Sequence, residues 1–555
     1  MPLPARAPQR TCQHLRASRK TACVSKNLKH IGIVASATLV SRVLGLGRDM
    51  LTTAVFGVGA LNSAFVTAFT LPNLFRRLLG EGALTAALVP TLHEEMATKR
   101  REGAFALVSQ VASWLLVVTV SLVALAMVGL GQAERLVALA ADWGVSAETA
   151  RRWLQGADLA AVLFPYMIFV CLAAAFSAAL QTLDRFLEPA LSPIWLNVSM
   201  ISLLAGGAYL GWADDQAGAM RWLCAGVLIG GFLQMAVPAA ALMREGWRPR
   251  LDLGAGEPLR GIVKLMVPTL FGSAIYLVNM AVSRLVGLSL NDAAASVLNL
   301  ATRLMELPIG VFAVAVSTVV FPLISKHAAQ GDHEKLAEAY RKGMRLILMI
   351  NIPAAVGLAV LATPIVRLLF QRGAFDAEAT RLMAPVLAVF ALGLPFFSFV
   401  NLVLRAYYAQ KDTATPVRAA FLSFLVNLAL SFALMAPLST VGLALAGNLA
   451  VVVQAWYLQV RLARKLPGLA FQHLAKDAAK VVAASAAMGL VVAGGWWAWR
   501  HLFTGGLLAD AGGVAVMIGV GAGFYAGCIW LLRIEGREEL ATLLRRRLRG
   551  KAAAG

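Results

Sequence analysis

Charge is scarce in this chain. Of 555 residues only 14% are Asp, Glu, Lys or Arg, 59% are hydrophobic, and the mean hydropathy is +0.72. A soluble protein would carry roughly a quarter charged residues, so a single water-soluble globule is excluded. Acid is scarcer than base, with 29 Asp and Glu against 50 Lys and Arg. The five cysteines, Cys12, Cys23, Cys171, Cys224 and Cys528, form no CxxC pair, and the seven histidines lie near span ends or in polar segments. That argues against a disulfide framework or a structural zinc. There is no P-loop, no HExxH and no TVGYG filter. A built-in ATPase, a metallohydrolase and a potassium-type channel lose their usual signatures. Residues 1–29 are basic and lack an apolar run of signal-peptide length. They read as a disordered cytoplasmic arm, with an over-extended start site as the equal alternative.

What fills the chain is apolar runs. A helix needs about 20 apolar residues to cross a hydrocarbon core of about 30 Å. Fourteen such spans are expected, near 30–57, 60–80, 104–130, 157–181, 187–212, 219–243, 259–289, 293–323, 343–370, 382–409, 415–436, 440–460, 477–500 and 512–532. The fold class is therefore all-α integral membrane. Segment 82–98 is amphipathic and reads as a helix along the inner surface. The net charge of +21 raises nucleic acid as a partner, but the basic residues are scattered in short loops. With the N-terminus inside, thirty-six Lys and Arg fall in inner segments and eight in outer loops, as the positive-inside rule requires. Both termini are then cytoplasmic. The tail from Arg533 is basic and suits an anionic inner leaflet.

Six basic residues remain, all arginines inside spans: Arg42, Arg48, Arg76, Arg77, Arg284 and Arg303. A charge at mid-membrane costs roughly 2.5–3.5 kcal/mol on insertion scales. Such residues face a wet cavity or a partner. Arginine grips phosphate or carboxylate with a two-pronged fork, so the cluster reads as a site for an anion. The bland alternative is internal pairing with Asp49, Glu81 and Glu306. An internal repeat is suggested by Val40-Ser41-Arg42-Val43-Leu44-Gly45 against Val282-Ser283-Arg284-Leu285-Val286-Gly287, and by Asn73-Leu74 with Arg77 against Asn299-Leu300 with Arg303. Two parallel halves about a central site is a transporter plan.

The stretches SRVLGLGRD, PNLFRRLLGEGALTAALVP and ATRLMELPIGVFAVAVSTVVFPLIS closely resemble the MurJ/MviN family of lipid II flippases. That family belongs to the multidrug/oligosaccharidyl-lipid/polysaccharide exporter superfamily. The resemblance runs from about residue 30 to 533. It implies two six-helix lobes in a V around a cationic cavity, an N-lobe over 30–243 and a C-lobe over 259–460. Two further helices over 477–532 would form a groove for the lipid tail. It implies a transporter of the bacterial cytoplasmic membrane, not an enzyme, with no cofactor and no metal. The cargo would be the undecaprenyl-diphosphate-linked precursor, with cell-wall synthesis machinery as a candidate partner.

Family functional positions match at Arg42, Arg48, Asp49, Arg76, Arg77, Glu81 and Arg303, with Glu306 beside the last. Where the family usually has an acid at the head of span 2 this chain has Ser63, and Arg284 is unusual for span 7. Both are expected to modulate a cavity more positive than that of the relatives. Some relatives hold sodium by acids on spans 7 and 11, and spans 7, 11 and 12 here contain none. The alternatives are an exporter of another polyprenyl-linked glycan, a drug/cation antiporter, and a scaffold that has lost transport. An antiporter would want acids in its cavity.

Overall fold

The computed structural model describes residues 10–76, 78, 83–309, 314–503 and 506–538. Arg77 and Glu81 of the candidate set, and most of the basic tail, lie outside them. The described helices are α1 (Arg10–Phe56), α2 (Ala60–Phe75), α3 (Ala83–Leu130), α4 (Ala133–Asp142), α5 (Ala147–Leu163) and α6 (Tyr166–Thr182). Then come α7 (Leu187–Tyr209), α8 (Gln216–Arg244), α9 (Glu257–Leu290), α10 (Ala294–Pro308), α11 (Val314–Ala329) and α12 (His333–Val360). The last are α13 (Ala362–Phe370), α14 (Ala377–Ala409), α15 (Ala414–Lys465), α16 (Gln472–Leu502) and α17 (Leu507–Leu531). No strand occurs among the described residues.

The expected all-α membrane architecture is present. Among the described residues eight helices are long and apolar enough to cross a membrane, or nine if α5 and α6, bent by 44°, count as one span. The expected fourteen is not reached by that measure; among the differences, one bent pair stands for 157–181 and one long helix takes in two expected spans. The stretch 343–370 is divided into α12 and α13 at Leu361. The two stretches 415–436 and 440–460 are one run, α15, turned at Ser439 (φ 49°, ψ −133°) just after Pro437. The amphipathic stretch 82–98 opens α3 and is set off from the following span at Arg100 (φ 58°, ψ −157°). The arm expected to be disordered is instead helical from Arg10. Thr11 to His30 contains neither Pro nor Gly and is rich in Lys, Arg, Ala and Leu, all compatible with a helix.

The chain divides into two compact units. The first comprises residues up to Leu51, Leu71–Gln132 and Asp158–Phe271. Its core gathers Leu84, Leu88 and Leu107 of α3, Phe176 of α6, Leu242 of α8 and Trp247 just beyond it. Gly226 and Gly230 let α8 lie against α7. A Cβ on either would sit 2.9 Å from the Met200 Cα or 2.8 Å from the Leu196 Cα. Small residues four apart are the usual means of close helix approach in membranes.

One end of this unit is clasped by Glu245. Its carboxylate accepts from Arg185 at 2.9 Å and lies 3.5 Å from Arg101, while Arg185 also reaches Glu188 at 2.5 Å. The hydrogen bond to Glu245 raises the Arg185 pKa further. Glu245→Ala should lower the thermal midpoint of the purified protein by a few degrees, since partly exposed networks contribute roughly 1 kcal/mol. An unchanged midpoint would show that the clasp is ornamental.

The second unit comprises Thr52–Thr70, Ala133–Ala157 and the chain from Gly272 onward. It therefore takes in the end of α1, most of α2, α4 and the start of α5, crossing the expected division between N-lobe and C-lobe. One core joins α11, α12, α14 and α15 around Tyr340, Leu402 and Leu458. Another joins α12 to α16 and α17 around Met349, Met488 and Met517. The final hairpin is also fixed by polar groups. Tyr525 Oη donates to the Met349 carbonyl at 2.8 Å. That carbonyl is spare because Pro353, four residues on, has no N–H to offer it. Arg367 pairs with Asp510 at 3.1 Å near one end of the hairpin, and Arg345 with Asp477 at 2.9 Å and with Glu535 near the other. After α14, Asp412 is held down at about 2: burial raises its pKa, but hydrogen bonds from Lys465 and Thr415 outweigh that. A depressed carboxylate stabilises the fold above its unfolded pKa, near 3.9, and loses that only as pH falls toward 2. The Asp412–Lys465 clasp is thus intact at neutral pH.

Candidate functional site

The first unit brings two of the expected residues together. Arg48 and Asp49 lie near the end of the SRVLGLGRD stretch on α1, with residue exposures of 6% and 9%. Side chains one apart on a helix do not normally face each other. Here the long arginine curls back, placing Nε 3.1 Å and Nη2 2.7 Å from Asp49 Oδ1. Nη1 donates to Asn197 Oδ1 at 3.1 Å, with Met200 Sδ at 3.9 Å. Asn197 is itself fixed, donating from Nδ2 to the Pro193 carbonyl at 3.1 Å and the Ser41 carbonyl at 3.3 Å. The close α7–α8 packing fixes the helix that carries Asn197 and Met200. Sequence reasoning missed Asn197; the available signal was an amide in the apolar run IWLNVSM.

The other arginines of this unit sit differently. Arg42, six residues before Arg48, is exposed. Arg76 is half-buried and donates from Nε to Asn73 Oδ1 at 3.2 Å. Of the candidate arginines described in this unit, Arg48 is buried against Asp49, and Arg42 and Arg76 are more accessible. Such a set can bind multivalent anions while Asp49 keeps Arg48 from being an uncompensated buried charge.

In the second unit, Arg303 and Glu306 are both exposed, one turn apart on α10. Arg284 is buried at 8% exposure. Its Nη1 lies 3.4 Å from the Ala295 carbonyl and its Nη2 3.4 Å from Asn299 Oδ1. Ser63 was expected to modulate the cavity. The structure places it fully buried, with Oγ 2.6 Å from the Asp292 carbonyl and 2.6 Å from Ser296 Oγ. The Ser296 N–H donates to Ser63 Oγ at 3.2 Å. Ser63 and Arg284 therefore both bear on the first turns of α10. A carboxylate at position 63 could accept from Ser296 but would confront the Asp292 carbonyl. Ser63→Asp is accordingly expected to reach the membrane poorly, and immunoblotting of membrane fractions beside wild type checks it. Among the described residues no group of His, Cys, Asp and Glu could hold a metal ion.

A profile described as "Lipid II flippase MurJ" matches residues 52–510. A probable lipid II flippase MurJ from Rhizobium tropici is 33% identical over 498 residues, covering 89% of this chain and 92% of that one. A counterpart from Haemophilus influenzae is 33% identical, covering 82% of this chain and 90% of its own. Among solved structures, a lipid II flippase MurJ in an inward closed conformation superposes with a TM-score of 0.71 at 26% identity, over 90% of this chain and 99% of that one. An inward-facing multidrug resistance MATE transporter superposes with a TM-score of 0.61 at 14% identity, over 77% and 95%. The second likeness is one of fold alone.

Proposed function

The chain belongs to the MurJ family and is a lipid II flippase, and we propose that it carries its cargo by alternating access on the arginines of its apolar spans, without covalent chemistry. Lipid II joins a diphosphate and peptide carboxylates to a polyprenyl tail, and such a headgroup cannot cross hydrocarbon unaided. Arg42, Arg48, Arg76 and Arg77 would bind the anionic groups, as would Arg303 on α10. Asp49, Glu81 and Glu306 would orient these arginines and pair with them when cargo has left. The supporting observation is the Arg48–Asp49–Asn197 cluster, a buried cation already held in a fork geometry. A drug/cation antiporter would instead need an acid there without its arginine.

On this reading the protein lies in the bacterial cytoplasmic membrane with both termini inside. The tail of the cargo stays in lipid beside α16 and α17, and cell-wall synthases receive the product. An inside-negative potential would favour return of the empty cationic site to the inner side, at about 2.3 kcal/mol per charge per 100 mV. Dissipating the potential in proteoliposomes should therefore slow turnover; an unchanged rate removes this driving force.

Topology has its own test. Cysteines at His333 and Asp214, both exposed, should react with an impermeant thiol reagent from opposite sides. Asp214→Cys should label in intact cells, and His333→Cys only after lysis. Labelling of both in intact cells breaks the assigned orientation.

A further inference from the structure

Charged and polar groups that cargo binding leaves unused converge on one turn, residues 289–296, between α9 and α10. Arg152 on α5 sets Nη1 3.1 Å from Asp292 Oδ1, and its Nη2 donates to the Ser289 carbonyl at 3.1 Å and Thr149 Oγ1 at 2.9 Å. Trp153 Nε1 donates to Ser289 Oγ at 2.9 Å. From α2, Ser63 meets Asp292 and Ser296, while Ser296 Oγ also lies 3.0 Å from the Val58 carbonyl. Nearby in the chain, the Ala54 carbonyl at the end of α1 accepts from the Ala374 N–H at 2.7 Å. Segments from the first half of the sequence thus close onto segments from the second, within one compact unit.

The geometry points to a latch that holds the extracytoplasmic side shut, with Arg152 and Asp292 as positioning residues for flipping. The inference rests on the alternating-access reading. The pair is lopsided. The Arg152 side chain is 6% exposed and that of Asp292 50% exposed. Arg152 Nε is buried without a partner. Water can replace Arg152 at Asp292, whose other oxygen also lies 4.0 Å from Arg151. Nothing comparable replaces Asp292 at Arg152, which would keep only neutral acceptors while buried. A buried cation stripped of its anion is strongly disfavoured. Loss of the Asp292 charge therefore opens the latch further than loss of the Arg152 charge, and loss of both brings it back.

The readout is a cysteine at Ala295, which is fully buried in this structure, in a chain whose own five cysteines are replaced by alanine. An impermeant thiol reagent is added to intact cells. Asp292→Asn should raise the labelling rate about tenfold, as expected for one charge-assisted hydrogen bond. Arg152→Met should raise it less, and the double variant should fall back toward the parent. Unchanged labelling in Asp292→Asn, or additive effects in the double variant, overturns the latch. Lipid II flipping by the wild-type chain is measured separately, so failure of the functional reading shows as absent flipping with the labelling pattern intact. If the Asp292 variant does not reach the membrane, Ser63→Cys with Ser296→Cys decides. Oxidation to a disulfide should stop flipping and reduction restore it, whereas full crosslinking with unaltered flipping overturns the proposal.

Discussion

Arg48→Ala is expected to abolish lipid II flipping and also to lower the amount of protein in the membrane. The two losses have different causes. The buried Asp49 would lose the guanidinium that Arg48 holds against it, and breaking a buried pair costs roughly 3–5 kcal/mol. Transport would fail for a second reason if Arg48 also meets the cargo. Removing both partners separates the causes. Arg48→Ala with Asp49→Ala should restore the membrane level, because no half of the buried pair remains, yet should not restore flipping. Recovery of flipping in the double variant would make the pair purely architectural. Arg48→Lys keeps the charge but not the fork that reaches Asp49 and Asn197 together. It should insert normally and flip at least about tenfold more slowly, the loss of a charge-assisted hydrogen bond.

Arg303→Ala should behave in the opposite way on stability. Arg303 is exposed on α10, and substitutions at exposed positions usually change stability by within about 0.5 kcal/mol. Membrane level should match wild type while flipping falls by about tenfold or more. Lysine should rescue in part, as a point charge without the bidentate fork. Full growth support by Arg303→Ala at native expression would remove Arg303 from the cargo path.

Both arginines were legible in the sequence because charge inside an apolar run is conspicuous. Their environments were not. The sequence places Arg48 and Arg303 alike within spans, and only the fold buries one against Asn197, 149 residues away. The same holds for Arg152. It reads as an ordinary outer-loop charge until α5 and the α9–α10 turn bring it to Asp292, 140 residues on. Ser63 was conspicuous as a departure from a family pattern, but its burial depends on contacts 229 and 233 residues distant. Helix positions were easier, since apolar run length speaks directly about them. Where two expected spans fall in one helical run, the break between them is a single turned residue, Ser439, which a hydropathy window averages away.

The most direct measurement is lipid II reaching the outer leaflet in cells depleted of their own flippase. The wild-type chain should sustain it, and the Arg48→Ala, Asp49→Ala double variant, matched for membrane level, should let lipid II accumulate on the inner side. Equal export by the two would contradict the assignment of cargo binding to the α1 arginine site.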